Sequence, residues 1–94
     1  MKLFALLMDA TAADGNEHLP GSRQHLLVLV RATSEEAAMI EALVALTEAA
    51  WRDAELKNIQ PFGVSPSSLG DPVLRDAAMR AQEGHRSIVV FDQA

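Results

Sequence analysis

The segment His25 to Trp51 constrains the fold of this chain more than any other part of the sequence. It begins with the apolar stretch HLLVLVRA, continues with TSEE and ends with AAMIEALVALTEAAW. The first stretch is typical of a β-strand that is covered on both faces, and the last of a helix. The apolar positions of that helix sweep roughly 220° of arc, whereas a surface helix needs only about 100°. The segment therefore predicts more apolar surface than a short chain can cover alone.

The remaining sequence predicts three further strands and a second helix. Asp71 followed by Pro72 is a start signal for that helix, and Gly84 ends it. In the first helix, Thr33 is the expected N-cap and forms a capping box with Glu36, and the helix is expected to end near Arg52. The four strands are predicted over residues 2–10, 24–32, 56–64 and 87–91.

This order of elements, β-β-α-β-α-β, predicts an α+β fold in a single domain over residues 1–94. Right-handed crossovers would place both helices on one face of a four-stranded mixed sheet, which gives a two-layer sandwich. Pro61 lacks a backbone N–H, so strand three is expected at an edge of the sheet. Strands one and four are the expected central strands, which favours the strand order 2-1-4-3.

Composition excludes several classes of partner. The chain has 94 residues, a formal net charge of -5 and no cysteine. Its basic residues are scattered, and so nucleic acid and anionic membranes are not expected as partners. The lack of cysteine excludes disulfides and thiolate metal sites, and it fits a cytoplasmic location.

Candidate chemical groups are few in this sequence. The three histidines share no metal-ligand spacing. His18 and His25 could still meet at one end of the sheet with a carboxylate from Asp9, Asp14 or Glu17. Solvated loop residues are the favoured interpretation, and His85 is expected to cap helix-end carbonyls or to face water. We therefore expect no catalytic residue, no cofactor and no metal.

The loop over residues 63–71, GVSPSSLGD, has a composition that invites a functional interpretation. It lacks the closing glycine of a nucleophile elbow and the lysine of a phosphate-binding loop. A simple connection is the favoured interpretation. The alternative is that this loop and the first turn of the second helix hold a small anion.

A partner protein is the strongest functional expectation. Two helices on one face would leave the other face of the sheet open, and either Phe4, Leu6 and Met8 or else Leu3, Ala5 and Leu7 would line it. Monomers rarely expose apolar patches of that size, and a symmetric dimer is the commonest way to cover one. Trp51 and Arg52 are candidate contact residues, although packing of Trp51 in the core is the favoured alternative.

The predicted function is therefore a non-enzymatic protein-interaction domain that acts as a homodimer or binds another protein. The alternative is a small-molecule-binding domain or small enzyme with a pocket at the sheet–helix or dimer seam. Such a pocket would collect polar groups from strand ends, for which His25, Arg31 and Asp92 are candidates. A third hypothesis folds the loop over residues 11–23 back across the open face.

Overall fold

The computed structural model describes residues 1–63 and 68–91. Its elements along the chain are β1 (Lys2–Ala12), β2 (Arg23–Ala32), α1 (Glu35–Glu48), β3 (Trp51–Pro61), α2 (Pro72–Gln82) and β4 (Ser87–Phe91). The predicted order β-β-α-β-α-β and the α+β class are confirmed. Val64, the last residue of the predicted third strand, lies outside the described residues.

The sheet has the strand order β3-β1-β2-β4, and each of its pairings is antiparallel. The predicted mixed sheet and the order 2-1-4-3 are therefore wrong. β3 lies at an edge as predicted, whereas β4 occupies the opposite edge and pairs with β2 instead of joining β1 in the centre. The β1–β2 hairpin forms the middle of the sheet, and its two outer sides accept the two later strands.

Each helix packs on a different face of the sheet. The register pairs Leu6 with Val28, and both side chains are buried in the cluster that contains the inner residues of α1. It pairs Ala5 with Leu29, and both belong to the cluster that contains α2. Since successive strand residues point to opposite faces, the two clusters lie on opposite sides of the sheet.

The predicted sandwich with both helices on one face is therefore wrong, because one helix lies on each side of the sheet. The handedness rule applies to a connection between parallel strands, such as the one from β2 through α1 to β3. β3 and β4 run antiparallel at opposite edges of the sheet. The rule does not constrain the connection between them, and α2 is free to cover the second face.

α1 starts one residue later and ends earlier than predicted. The hydroxyl of Ser34, not Thr33, accepts a hydrogen bond from the N–H of Ala37 at 3.1 Å. At the other end, Ala50 adopts a φ of 61°, which is left-handed and incompatible with a continuing helix. Trp51 is therefore the first residue of β3 and not part of the helix.

α2 has the predicted start and stop. The Asp71 carboxylate accepts hydrogen bonds from the N–H groups of Val73 and Leu74, at 2.9 and 3.3 Å. Gly84 follows the helix with a φ of 99°, a conformation that favours glycine. The Arg31 guanidinium donates to the carbonyl of Gln82 at 2.8 Å, which ties the end of α2 to β2.

Candidate functional site

α2 covers only part of its face of the sheet. At the end of this face that α2 leaves uncovered, the side chains form a shallow concavity of about 380 Å³, which we call the open half-face. It is lined by Leu7, Asp9, His25, Lys57 and Phe91. Leu7 and Phe91 are 40% and 42% exposed there. This part of the sheet combines apolar and ionisable groups in one concavity.

Sheet register brings the polar groups of the open half-face into one row. Asp9 on β1 pairs with His25 on β2 and with Glu55 on β3, and His25 pairs in turn with Phe91 on β4. Paired residues of neighbouring strands present their side chains on the same face. The row therefore crosses all four strands beyond the reach of α2.

Lys57 joins this row through an irregularity of β3. The register shifts between the pair Leu7–Asn58 and the pair Met8–Leu56, so Lys57 has no partner on β1. An extra residue of this kind bends the strand locally and redirects its side chain. Lys57 reaches across the face and places its Nζ 3.7 Å from Oδ2 of Asp9.

The central feature of the site is a hydrogen bond between Asp9 and His25. Oδ1 of the carboxylate and Nδ1 of the ring are 2.5 Å apart, and 13% of the Asp9 side chain is exposed against 58% for His25. This hydrogen bond lowers the pKa of Asp9; burial opposes the shift, and the charges of His25, Lys57 and Arg23 add to it. An ionised carboxylate only accepts hydrogen bonds, so Nδ1 carries a proton and Nε2 of the neutral ring is an acceptor.

The other charges of the row neutralise one another. Nζ of Lys57 donates to Oε1 of Glu55 at 2.7 Å, which raises the pKa of Lys57 and lowers that of Glu55. The Arg23 guanidinium lies 3.6 Å from the second oxygen of Glu55 and donates to the Thr11 hydroxyl at 3.0 Å. Two cations thus face two carboxylates, and His25 is the remaining ionisable group of this cluster.

The other histidines lie elsewhere. His18 packs against Trp51, with ring centroids 5.4 Å apart, and so does not meet His25. Asp14 and Glu17 lie in the same loop as His18, whereas Asp9 is the predicted carboxylate that the structure brings to His25.

One of the polar groups predicted at strand ends is engaged elsewhere, and another cannot be placed. Arg31 is engaged with the end of α2. Asp92 lies outside the described residues. Of the two candidates that the structure describes, His25 lines the open half-face and Arg31 does not.

No protein-family model, no curated protein and no solved structure matches this sequence.

The candidate partner residues are mostly interior. Phe4, Leu6 and Met8 lie beneath α1, and Trp51 is 6% exposed at one end of the same cluster. Arg52 is exposed and donates to the Asp53 carboxylate at 2.8 Å. Partner contact through these residues stays a prediction, and Arg52 alone presents its side chain to solvent. Of the two apolar sets proposed for an open face, the one that reaches the open half-face contains Leu7.

Residues 64–67 of the loop proposed to hold an anion lie outside the described residues, and the Asp71 carboxylate already accepts the first N–H groups of α2. In the part of the chain that the structure describes, no group of three or more histidines and carboxylates is placed to hold a metal ion. Neither α1 nor α2 has the length and apolar character needed to cross a bilayer.

Proposed function

We propose that this chain is a small-molecule-binding domain whose site is the open half-face, with His25 as the group that accepts a proton or hydrogen bond from the ligand. The observation that supports this proposal is the short hydrogen bond between Asp9 and His25 inside a concavity. A carboxylate that orients a histidine in this way is a recurring arrangement for proton exchange with a bound molecule.

The position of Asp9 strengthens this interpretation. Aspartate is disfavoured in strands, and Asp9 lies in a central strand whose preceding residues on the same face are Leu3, Ala5 and Leu7. Burying most of a charged side chain there costs free energy unless a partner compensates. The hydrogen bond to Asp9 in turn fixes the orientation of the His25 ring. Ionisable groups whose pKa values are perturbed inside a cleft are candidates for functional sites.

A homodimeric interaction domain is the second candidate. The apolar surface that first suggested a partner is largely covered, because each face of the sheet has its own helix. Leu7 and Phe91 remain exposed on the open half-face. A second copy that covered these residues would occupy the same surface as a small molecule.

Light scattering combined with amide NMR distinguishes the two candidates. Under the first, the chain is a monomer at micromolar concentration, and a mixture of small aromatic compounds at millimolar concentration shifts the amide signals of the open half-face. The substitution His25→Ala should abolish those shifts, whereas His85→Ala, at an exposed histidine outside the row, should preserve them. A dimer whose open half-face signals move on dilution would favour the second candidate. A monomer that responds to no compound would contradict both.

A further inference from the structure

Building on the proposed function, we infer that the ligand is an uncharged aromatic hydroxyl compound, a phenol, whose hydroxyl donates to Nε2 of His25 and whose ring packs against Leu7 and Phe91. The inference deepens the proposal by stating the hydrogen-bond sense, the charge and the shape of the ligand. Each of these follows from a separate feature of the open half-face.

The hydrogen-bond sense follows from the Asp9–His25 pair. Asp9 occupies Nδ1, and so the second nitrogen of a neutral ring offers a lone pair and no proton. The ring is more than half exposed, and it lines the concavity. A ligand that satisfies this nitrogen must bring a donor, which a hydroxyl supplies and an ether or a carboxylate does not.

We expect an uncharged ligand because the positive and negative charges of the row are already paired. Lys57 lies within 4 Å of two carboxylates, those of Glu55 at 2.7 Å and Asp9 at 3.7 Å. An anionic ligand would approach those carboxylates as well as the lysine, and a cationic ligand would meet Lys57 and Arg23. With its charges already paired, the site offers no net attraction to an ion while His25 is neutral.

We expect the ligand to have an aromatic ring because apolar residues line the open half-face. Phe91 is the neighbour of His25 on β4, and Leu7 precedes Asp9 on the same face of β1. Aromatic rings pack favourably on an exposed phenylalanine in offset or edge-to-face arrangements. The volume of about 380 Å³ is near the lower end of the range for small-molecule sites, which favours a compound with a single ring.

Three matched probes test the inference: 4-methylphenol, its methyl ether 4-methylanisole, and 4-methylbenzoate. All three have the same ring and methyl group, and they differ in the donor and in the charge. We expect 4-methylphenol to shift the amide signals of Leu7, His25 and Phe91 at neutral pH. The ether and the carboxylate should bind roughly fivefold to tenfold more weakly, the loss expected for one hydrogen bond.

The substitution Asp9→Asn tests the role of the pair in setting the hydrogen-bond sense. An asparagine carboxamide can donate to Nδ1, which moves the ring proton to Nε2 and turns the acceptor into a donor. The preference for the phenol over the ether should then fall to about one, because the donor that the phenol brings has lost its acceptor. Asp76→Asn, the same change in an exposed pair with Arg80, should leave the preference unchanged.

The ¹⁵N chemical shifts of the His25 ring give a readout that does not depend on a variant folding. An unprotonated Nε2 in the neutral ring supports the inference, and a protonated Nε2 overturns it. Equal binding of the three probes would overturn the inference while leaving the proposed function standing. Failure of all three probes, together with every other aromatic compound, would overturn both.

Discussion

The imidazole ring of His18 lies over the indole of Trp51, with the ring centroids 5.4 Å apart and the planes tilted by 41°. The side-chain amide of Asn16 holds the same loop in place by donating to the carbonyls of Ala49 and Ala50, at 3.0 and 3.3 Å. The loop between β1 and β2 thus folds onto the end of α1. The hypothesis that this loop covers the open sheet face is wrong, since it packs against residues on the α1 side.

Removing the His18 ring should expose Trp51. The chain has a single tryptophan, so its fluorescence reports on this position alone. We expect His18→Ala to raise the acrylamide quenching constant severalfold, because a side chain that is 6% exposed loses its cover. His85→Ala serves as the control and should leave quenching unchanged. Equal quenching in both variants would show that the His18 ring does not shield the indole.

The N-cap of α1 can be assigned by two neighbouring substitutions. Ser34→Ala removes the hydroxyl that accepts from the N–H of Ala37 and should lower the free energy of unfolding by about 1 kcal/mol. Thr33→Ala removes a hydroxyl outside the helix and should cost less than about 0.5 kcal/mol. Urea denaturation measures both. A larger loss for Thr33→Ala would restore the capping box that the sequence suggested.

Two leucines of α1 separate core packing from surface packing. Leu46 is 1% exposed, and Leu46→Ala should cost about 2–5 kcal/mol through lost burial and the cavity it leaves. Leu43 is 40% exposed on the same helix, and Leu43→Ala should cost well under half as much. Urea denaturation of the two variants should therefore give clearly different midpoints. Similar midpoints would mean that Leu43 is also covered, for example by a second copy of the chain.

The Asp9–His25 pair makes a pH-dependent contribution to stability. The hydrogen bond holds the pKa of Asp9 below its ordinary value of 3.8, so the unfolded chain binds the Asp9 proton more readily than the folded chain. The contribution is therefore present above 3.8 and is lost as the pH falls through the lower pKa of the folded chain.

Urea titrations of the wild type and Asp9→Asn should show this loss. The advantage of the wild type should be present at about pH 5 and should shrink towards about pH 3. Asp76→Asn provides a control in which an exposed carboxylate paired with Arg80 is removed. An advantage for Asp9 that grows on acidification would contradict the assigned direction of its pKa.

Local sequence patterns predicted the helices and strands well. The strand order was predicted wrongly because it depends on pairing between residues that are distant in the sequence. Asp71, Pro72 and Gly84 marked the ends of α2 correctly because capping depends on neighbouring residues. The face of α2 depends on which strands lie side by side, and the apolar run of β4 suits an edge beside β2 as well as a central position. The sequence carries no local signal that separates these arrangements.

The same division applies to the site. Asp9 interrupts an apolar strand, and that anomaly was a usable signal for a functional position. The sequence predicts His25 as a candidate, with Asp9 among its possible partners, because His25 opens the second strand and both residues are expected at one end of the sheet. Lys57 was missed, since the shift in register on β3 leaves no trace in the sequence pattern. Phe91 was missed because its place beside His25 depends on β4 joining β2.

β4 is attached to the sheet through β2 alone, whereas β1 has a strand on either side. We therefore expect α2 and β4 to detach together while β1, β2 and β3 remain packed against α1. We expect β4 amides to exchange with solvent deuterium through this partial opening, ahead of those of β1. Such an opening would expose Leu29 and remove Phe91 from the open half-face, so a molecule bound there should slow amide exchange in α2 and β4.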